Sequence, residues 1–85
     1  MARWFVYILR CKNNSLYTGI TNNLDSRVAK HQAGKGAKYT RAFGPVKLVY
    51  AKVMKSPTAA RKREAEIKSW DKLKKEHLVQ TYVQN

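Results

Sequence analysis

Tyr7, Tyr17, Arg27, His31 and Glu64 are the side chains of this sequence whose types could share one piece of chemistry. A hydroxyl that activates water, a guanidinium facing phosphate oxygens, a second proton-handling group and a metal-binding carboxylate are the parts needed to cut a phosphodiester. Each also has an ordinary structural reading. Tyrosine is common in strands, and a glutamate in so basic a chain can pair with a neighbouring lysine or arginine. The chemistry requires that the elements carrying these residues bring them to one place.

The first such element is a hairpin. Trp4–Arg10 and Leu16–Ile20 are rich in aromatic and β-branched residues and flank a polar stretch, which reads as two strands and a tight turn. Asparagine tolerates the left-handed conformation, so Asn14 can close a three-residue loop of Lys12, Asn13 and Asn14. That register sets Cys11 opposite Ser15, Leu9 opposite Tyr17 and Tyr7 opposite Gly19. Tyr7 and Tyr17 then share a face as diagonal neighbours, roughly 7–8 Å apart. A one-residue slip would separate them to opposite faces. Gly19 is expected to leave open space beside Tyr7 for a water or a phosphate.

A short helix follows over Leu24–Ala33, with Asn23 as its N-cap, Asp25 at its positive end and Gly34 as its stop. Leu24 and Val28 mark its packed side, while Arg27 and His31, four apart, lie one above the other on another side. The stretch Gly34–Gly44 is expected to be a long loop, and such loops are often functional. Its Lys35, Lys38 and Arg41 suit phosphates, and Tyr39 is expected to be free to stack on a base. A solvated loop sharing the overall charge is the other reading. Its Gly-Lys-Gly lacks the spacing of a P-loop.

Val46–Met54 reads as a third strand, opened by Pro45 at its edge. Ser56 and Pro57 start a helix that runs to about Trp70. Ala60, Glu64 and Ile67 fall on one inward stripe of it, so Glu64 faces in. Glu66 lies about 200° around the helix, where it can pair with Lys62. An inward carboxylate is costly unless paired or bound to metal. Asp71–Tyr82 reads as a last helix, with Leu73, Leu78 and Tyr82 as packing contacts. His77 reads as a surface or half-buried histidine and Cys11 as a strand-end residue.

The 85 residues make one domain, 1–85, with a thin core. Eighteen Lys and Arg against five acids give a net charge of +13. No fold requires that excess, which points to a polyanionic partner. No apolar run approaches the ~20 residues of a membrane helix. Arg3 followed by Trp4–Leu9 is too short for a signal peptide and alternates as a strand does. One cysteine allows no internal disulfide, and no Cys/His cluster suggests zinc. A cytoplasmic location is the expectation.

On these residues the chain resembles the GIY-YIG nuclease family, and closely its small single-domain branch. The first family motif falls on Phe5-Val6-Tyr7 and the second on Tyr17-Thr18-Gly19. The helix arginine matches Arg27, the position four later matches His31, and the metal-binding glutamate matches Glu64. The stretch Gly34–Arg41 is similar to that branch's own signature. Phe5 stands where the family name has glycine, Thr18 where it has isoleucine, and Ile20 where some members carry lysine. The resemblance implies hydrolysis of one DNA strand with a single divalent metal, Mg²⁺ or Mn²⁺, held by Glu64. It implies a structure-directed activity linked to DNA repair or recombination. Tyr7 would orient or deprotonate the attacking water, helped by a cationic surrounding that lowers its pKa. Tyr17 would brace water or phosphate, Arg27 would stabilise phosphate charge, and His31 would assist proton transfer or fix Tyr7. Gly19, Lys35, Lys38, Tyr39 and Arg41 would contact the substrate, and a targeting partner protein could choose it.

The expected fold is α/β, a three-stranded central sheet of the hairpin and the later strand, flanked by three helices. Val6, Ile8, Leu16 and Ile20 should be core, with Leu48 and Ile67 nearby. The competing reading is a nucleic-acid-binding module of the same fold that does not cut. An RNA-associated structural protein and a membrane-surface protein are more remote, the latter because no helix sets a basic face against a large apolar one.

Overall fold

A computed structural model describes residues 3–82; the expected domain, 1–85, extends past them at both ends. β1 (Trp4–Cys11), β2 (Leu16–Thr21) and β3 (Val46–Met54) form an antiparallel sheet in the order β2-β1-β3. Four helices surround it: α1 (Leu24–Gln32), α2 (Lys38–Phe43), α3 (Pro57–Lys68) and α4 (Lys72–Gln80). The central strand is covered on both sides, so Val6, Tyr7, Ile8 and Leu9 are all buried, as expected of a near-continuous apolar run.

The hairpin register is the expected one, with Tyr7 opposite Gly19 and Leu9 opposite Tyr17. Asn14 sets it. Its φ is +69°, its amide donates to the Cys11 carbonyl at 2.9 Å, and the Cys11 amide donates to the Ser15 carbonyl at 2.9 Å. Lys12, Asn13 and Asn14 thus form the three-residue loop.

The two sheet faces carry different helices. Val6, Ile8 and Tyr50 pack with Ile67 of α3, joined by Leu16, Ile20 and the α4 residues Leu78 and Val79. On the other face Tyr7, Leu9, Cys11 and Val46 pack with Tyr17 and with Leu24 and Val28 of α1. Leu48, expected near the core of Val6, Ile8, Leu16 and Ile20, lies on this second face. The cause is a bulge: Ile8 faces Tyr50, but its neighbour Leu9 faces Leu48. Val49 is the extra residue, so Tyr50 and Leu48 point to opposite faces although they are two apart.

Three sequence expectations for the helices need correction. The supposed loop 34–44 contains α2, which makes four flanking helices rather than three. Leu73 is 67% exposed, because it sits about 140° around α4 from Leu78. Glu66 pairs with Arg63 rather than Lys62. The break between the last two helices lies where expected, with Asp71 capping α4 through the Lys74 amide at 2.9 Å.

α4 is tied to the hairpin by a two-pronged ion pair. The Arg10 guanidinium donates to the Glu76 carboxylate at 2.7 and 2.8 Å. Lys72 adds a bond to the Asn14 carbonyl at 2.8 Å. The hydrogen bonds from Arg10 hold Glu76 below the ordinary carboxylate value of 4.5. A depressed folded-state pKa means the stabilisation is complete above about pH 4.5 and is lost as pH falls through the folded value. Glu76→Gln should therefore cost about 1–2 kcal/mol near neutrality. The cost should shrink on acidification below pH 4, read by denaturant melts at several pH values. An equal deficit at pH 7 and pH 3 would remove the ion pair from the stability of the fold.

Candidate active site

The second sheet face carries a line of three buried polar side chains. Tyr7 projects from β1, His31 from the last turn of α1 and Thr40 from α2; they are 2%, 1% and 0% exposed. The Tyr7 hydroxyl lies 3.0 Å from His31 Nε2, and His31 Nδ1 lies 2.7 Å from the Thr40 hydroxyl. The Thr40 hydroxyl donates its single proton to the Ala37 carbonyl at 2.9 Å. It can then only accept from His31, which places the imidazole proton on Nδ1. Nε2 is left as a lone pair, and Tyr7 donates to it.

Local structure explains why these groups meet. Asn23 Oδ1 accepts from the Ser26 amide at 3.1 Å and starts α1, so Arg27 and His31 follow at one-turn spacing. After α1, Gly34 takes φ +76° and turns the chain back. Gly36 then lies directly under the imidazole. A Cβ there would fall 2.7 Å from His31 Cγ and would collide with Nδ1. α2 follows and delivers Thr40. The basic loop of the sequence is thus partly the floor and the anchor of His31.

Gly19 plays a matching part for Tyr7, and the expected open space beside it is absent. A Cβ on Gly19 would fall 2.5 Å from the Tyr7 hydroxyl oxygen and 2.6 Å from Cζ. The phenol lies across the glycine and fills the gap. Gly19 holds Tyr7 in place.

Of the remaining expected residues, Tyr17 and Tyr39 extend this line. The Tyr17 ring packs 5.3 Å from His31 and stacks 6.3 Å from Tyr39. Tyr39, expected to be free, also packs on Phe43 at 4.8 Å and donates to the Ser15 hydroxyl at 2.7 Å. It keeps 40% of its surface exposed. Lys35, Lys38 and Arg41 are exposed around α2. Arg27 is exposed on α1. Glu64 is half-buried between Ala60 and Ile67, both 0% exposed, and its carboxylate pairs with Lys68 at 3.2 Å.

Electrostatics links Glu64 and Arg27 to the phenol. Burial pushes the Tyr7 pKa well above the ordinary phenol value. Tyr17 and Glu64 push it further up, and Arg27 pulls it down. The expected lowering by a cationic surrounding is outweighed, because Tyr7 is deeper in the sheet than the cations are. Burial and the Arg27 charge hold His31 below the ordinary imidazole value, so the ring is neutral near pH 7 and its Nε2 can accept a proton.

One sequence-invisible residue completes the set. Thr40 carries no charge and stands out only as one member of the Gly34–Arg41 stretch. The usable signal was that an imidazole oriented for catalysis needs a partner on its other nitrogen.

A profile of the GIY-YIG catalytic domain matches residues 3–77. The chain belongs to the GIY-YIG family. A UPF0213 protein of Staphylococcus haemolyticus is 49% identical over 94% of this chain and 98% of its own length. Another, from Natronomonas pharaonis, is 53% identical over 92% of each chain. The solution NMR structure of the UPF0213 protein BH0048 from Bacillus halodurans superposes with a TM-score of 0.61. It is 47% identical and the match covers 93% of this chain and 84% of that one. Membership implies a nuclease-like function with nucleic acid as substrate. Among the described residues no helix is long and apolar enough to cross a membrane.

Two departures from the GIY-YIG pattern have structural settings. Phe5 is half-buried between Thr21 and Val53 on the face that carries Tyr7. Thr18 is 3% exposed, and its hydroxyl has no hydrogen-bond partner among the described residues; nothing in the structure explains why a hydroxyl stands there.

Proposed function

We propose that this chain is a metal-dependent endonuclease that hydrolyses one strand of DNA, with Tyr7 and His31 as its proton-handling pair. The observation that carries the reading is the buried Tyr7–His31–Thr40 line, with a hydroxyl 3.0 Å from one imidazole nitrogen and 2.7 Å from the other. A phenol with a raised pKa is a poor base alone. Hydrogen-bonded to a neutral imidazole, it can pass its proton to Nε2 while its oxygen takes one from an attacking water. Arg27, exposed and close enough to influence both Tyr7 and His31, suits the non-bridging phosphate oxygens and the charge that builds on them. Tyr17 packs against the imidazole and limits its movement. Lys35, Lys38 and Arg41, exposed around α2, supply charge contacts to the phosphate backbone.

Glu64 is the residue that would hold a divalent cation. The described residues contain no group of three or more His, Cys, Asp or Glu side chains that could hold a metal ion. Mg²⁺ or Mn²⁺ is the ion proposed, since Mg²⁺ is bound through one or two carboxylates with substrate phosphates completing its shell. Lys68, the present partner of Glu64, is 54% exposed and can swing into solvent. When bound, the ion would supply charge neutralisation at the phosphate and the leaving oxygen.

Thr40 is a positioning residue in this scheme. Thr40→Val removes the acceptor for Nδ1–H and leaves a buried donor unpaired, a cost of about 1–2 kcal/mol that favours the wrong tautomer. Cleavage should drop roughly tenfold in kcat, with KM unchanged and Thr40→Ser close to wild type. A loss confined to KM would assign Thr40 to substrate contact instead.

The reading is tested by a panel of single-stranded, flapped, branched and duplex DNA, with matching RNA, incubated in Mg²⁺, in Mn²⁺ and in chelator. Metal-dependent cutting of at least one DNA form is expected. Binding of every form and cutting of none would favour the non-catalytic module. Preference for structured RNA, indifferent to loss of Tyr7 or Arg27, would favour the RNA-associated reading. The preferred DNA shape would then indicate whether a repair or recombination intermediate is the target.

A further inference from the structure

A groove of about 430 Å³ lies beside the hairpin turn, lined by Lys12, Asn13, Ala42, Phe43 and Gly44. Its volume lies within the range of clefts that hold small ligands. Its two walls are tied together, since the Lys12 amide donates to the Phe43 carbonyl at 2.8 Å. Phe43 is 40% exposed, although it follows the buried Thr40 by only three residues. It is also the outer end of a row of rings. His31 packs on Tyr17 at 5.3 Å, Tyr17 on Tyr39 at 6.3 Å and Tyr39 on Phe43 at 4.8 Å. The row runs from the candidate active site to the groove.

We propose that this groove seats one unpaired nucleotide of the DNA strand being cut, with its base stacked on Phe43 and its phosphate met by Lys12. The proposal rests on the reading of the chain as a nucleic-acid enzyme, and names a second contact point for its substrate. An exposed aromatic beside a cation is the arrangement by which proteins hold single strands, since every base offers a π-face. In an intact duplex those faces are covered by neighbouring base pairs, so Phe43 can reach only a base outside the stack. Charge complementarity favours a nucleic acid over a peptide or apolar ligand. The chain carries +13, Lys12 lines the groove, and Arg41 precedes Ala42 on the same short helix. Tyr39 is pinned by its bond to Ser15, so the ring path is already fixed before the strand arrives.

The test is binding, measured by fluorescence anisotropy in chelator so that no cutting is needed. The probes are a labelled 12-nucleotide single strand and a blunt duplex of the same sequence. Phe43→Leu keeps an apolar contact for Tyr39 but offers no π-face, and Phe43→Trp restores one. Phe43→Leu is expected to weaken single-strand binding about five- to hundredfold, the range of one base–aromatic stack, with duplex binding unchanged. Phe43→Trp should bind the single strand as well as wild type or better. Circular dichroism of each variant confirms the fold. Single-strand affinity within twofold of wild type for Phe43→Leu, or an equal loss on the duplex, would overturn the proposal. Absence of cleavage by the wild-type chain would defeat the nuclease reading while leaving this result standing.

Discussion

Tyr7→Phe should abolish most cleavage while leaving DNA binding and the fold in place. The variant removes one oxygen. His31 Nε2 loses the donor now 3.0 Å away, and the ring of residue 7 still fills the space across Gly19. Loss of a positioned proton-transfer group costs about 10²–10⁴ in rate, whereas loss of one hydrogen bond costs about 1 kcal/mol of stability. The two readouts are thus widely separated. The wild-type pH profile adds a second check. A phenol acting alone, with its pKa raised by burial, would give a rate that climbs through the alkaline range. A phenol backed by a neutral imidazole gives a rate that rises only through the His31 titration. Burial and Arg27 place that titration below the ordinary imidazole value of 6.5, so cleavage should be nearly level from pH 7 upward. Tyr7→Phe activity within threefold of wild type would remove the phenol from the mechanism and reduce it to sheet packing.

The parts of this site that were legible in the sequence are those set by short-range rules. One asparagine in the turn fixed the hairpin register and put both phenols on one face. An Asn23 cap and a four-residue spacing put Arg27 and His31 on successive turns. The i, i+4, i+7 stripe of α3 correctly turned Glu64 inward. What escaped depends on tertiary placement. α2 has only six residues and no side-chain bond at its N-cap, Ala37, so neither periodicity nor capping announced it. The bulge at Val49 moved Leu48 to the opposite face, and a pattern that counts by twos cannot see an extra residue. The space opposite Gly19 was read as empty because the register places Tyr7 across from it without saying where the ring lies. Gly36 and Thr40 were read with the cations around them, yet each acts through His31, which is distant until the chain folds back.

That distinction between local and assembled features bears on the metal. Glu64→Gln keeps the size of the side chain and one oxygen, but removes the negative charge. If Glu64 holds the cation, cleavage in Mg²⁺ should collapse by a factor on the order of 10²–10⁴, the equivalent of several kcal/mol of lost charge stabilisation. DNA binding should persist or strengthen slightly, because one anion near the phosphate path has gone. Folding should be little affected. The ion pair joins the half-buried Glu64 to an exposed Lys68, and pairs at i, i+4 are worth about 0.3–0.5 kcal/mol. Glu66→Gln is the matched control, on the same helix and paired with the Arg63 guanidinium on the outer face; its cleavage should stay within about twofold of wild type. The opposing hypothesis is that Glu64 serves only to pair Lys68. It predicts no change in cutting for either variant, and undiminished activity of Glu64→Gln in Mg²⁺ would decide for it. A loss in Glu64→Gln with none in Glu66→Gln would instead place the carboxylate at the phosphate, since the two differ in which face of α3 they occupy.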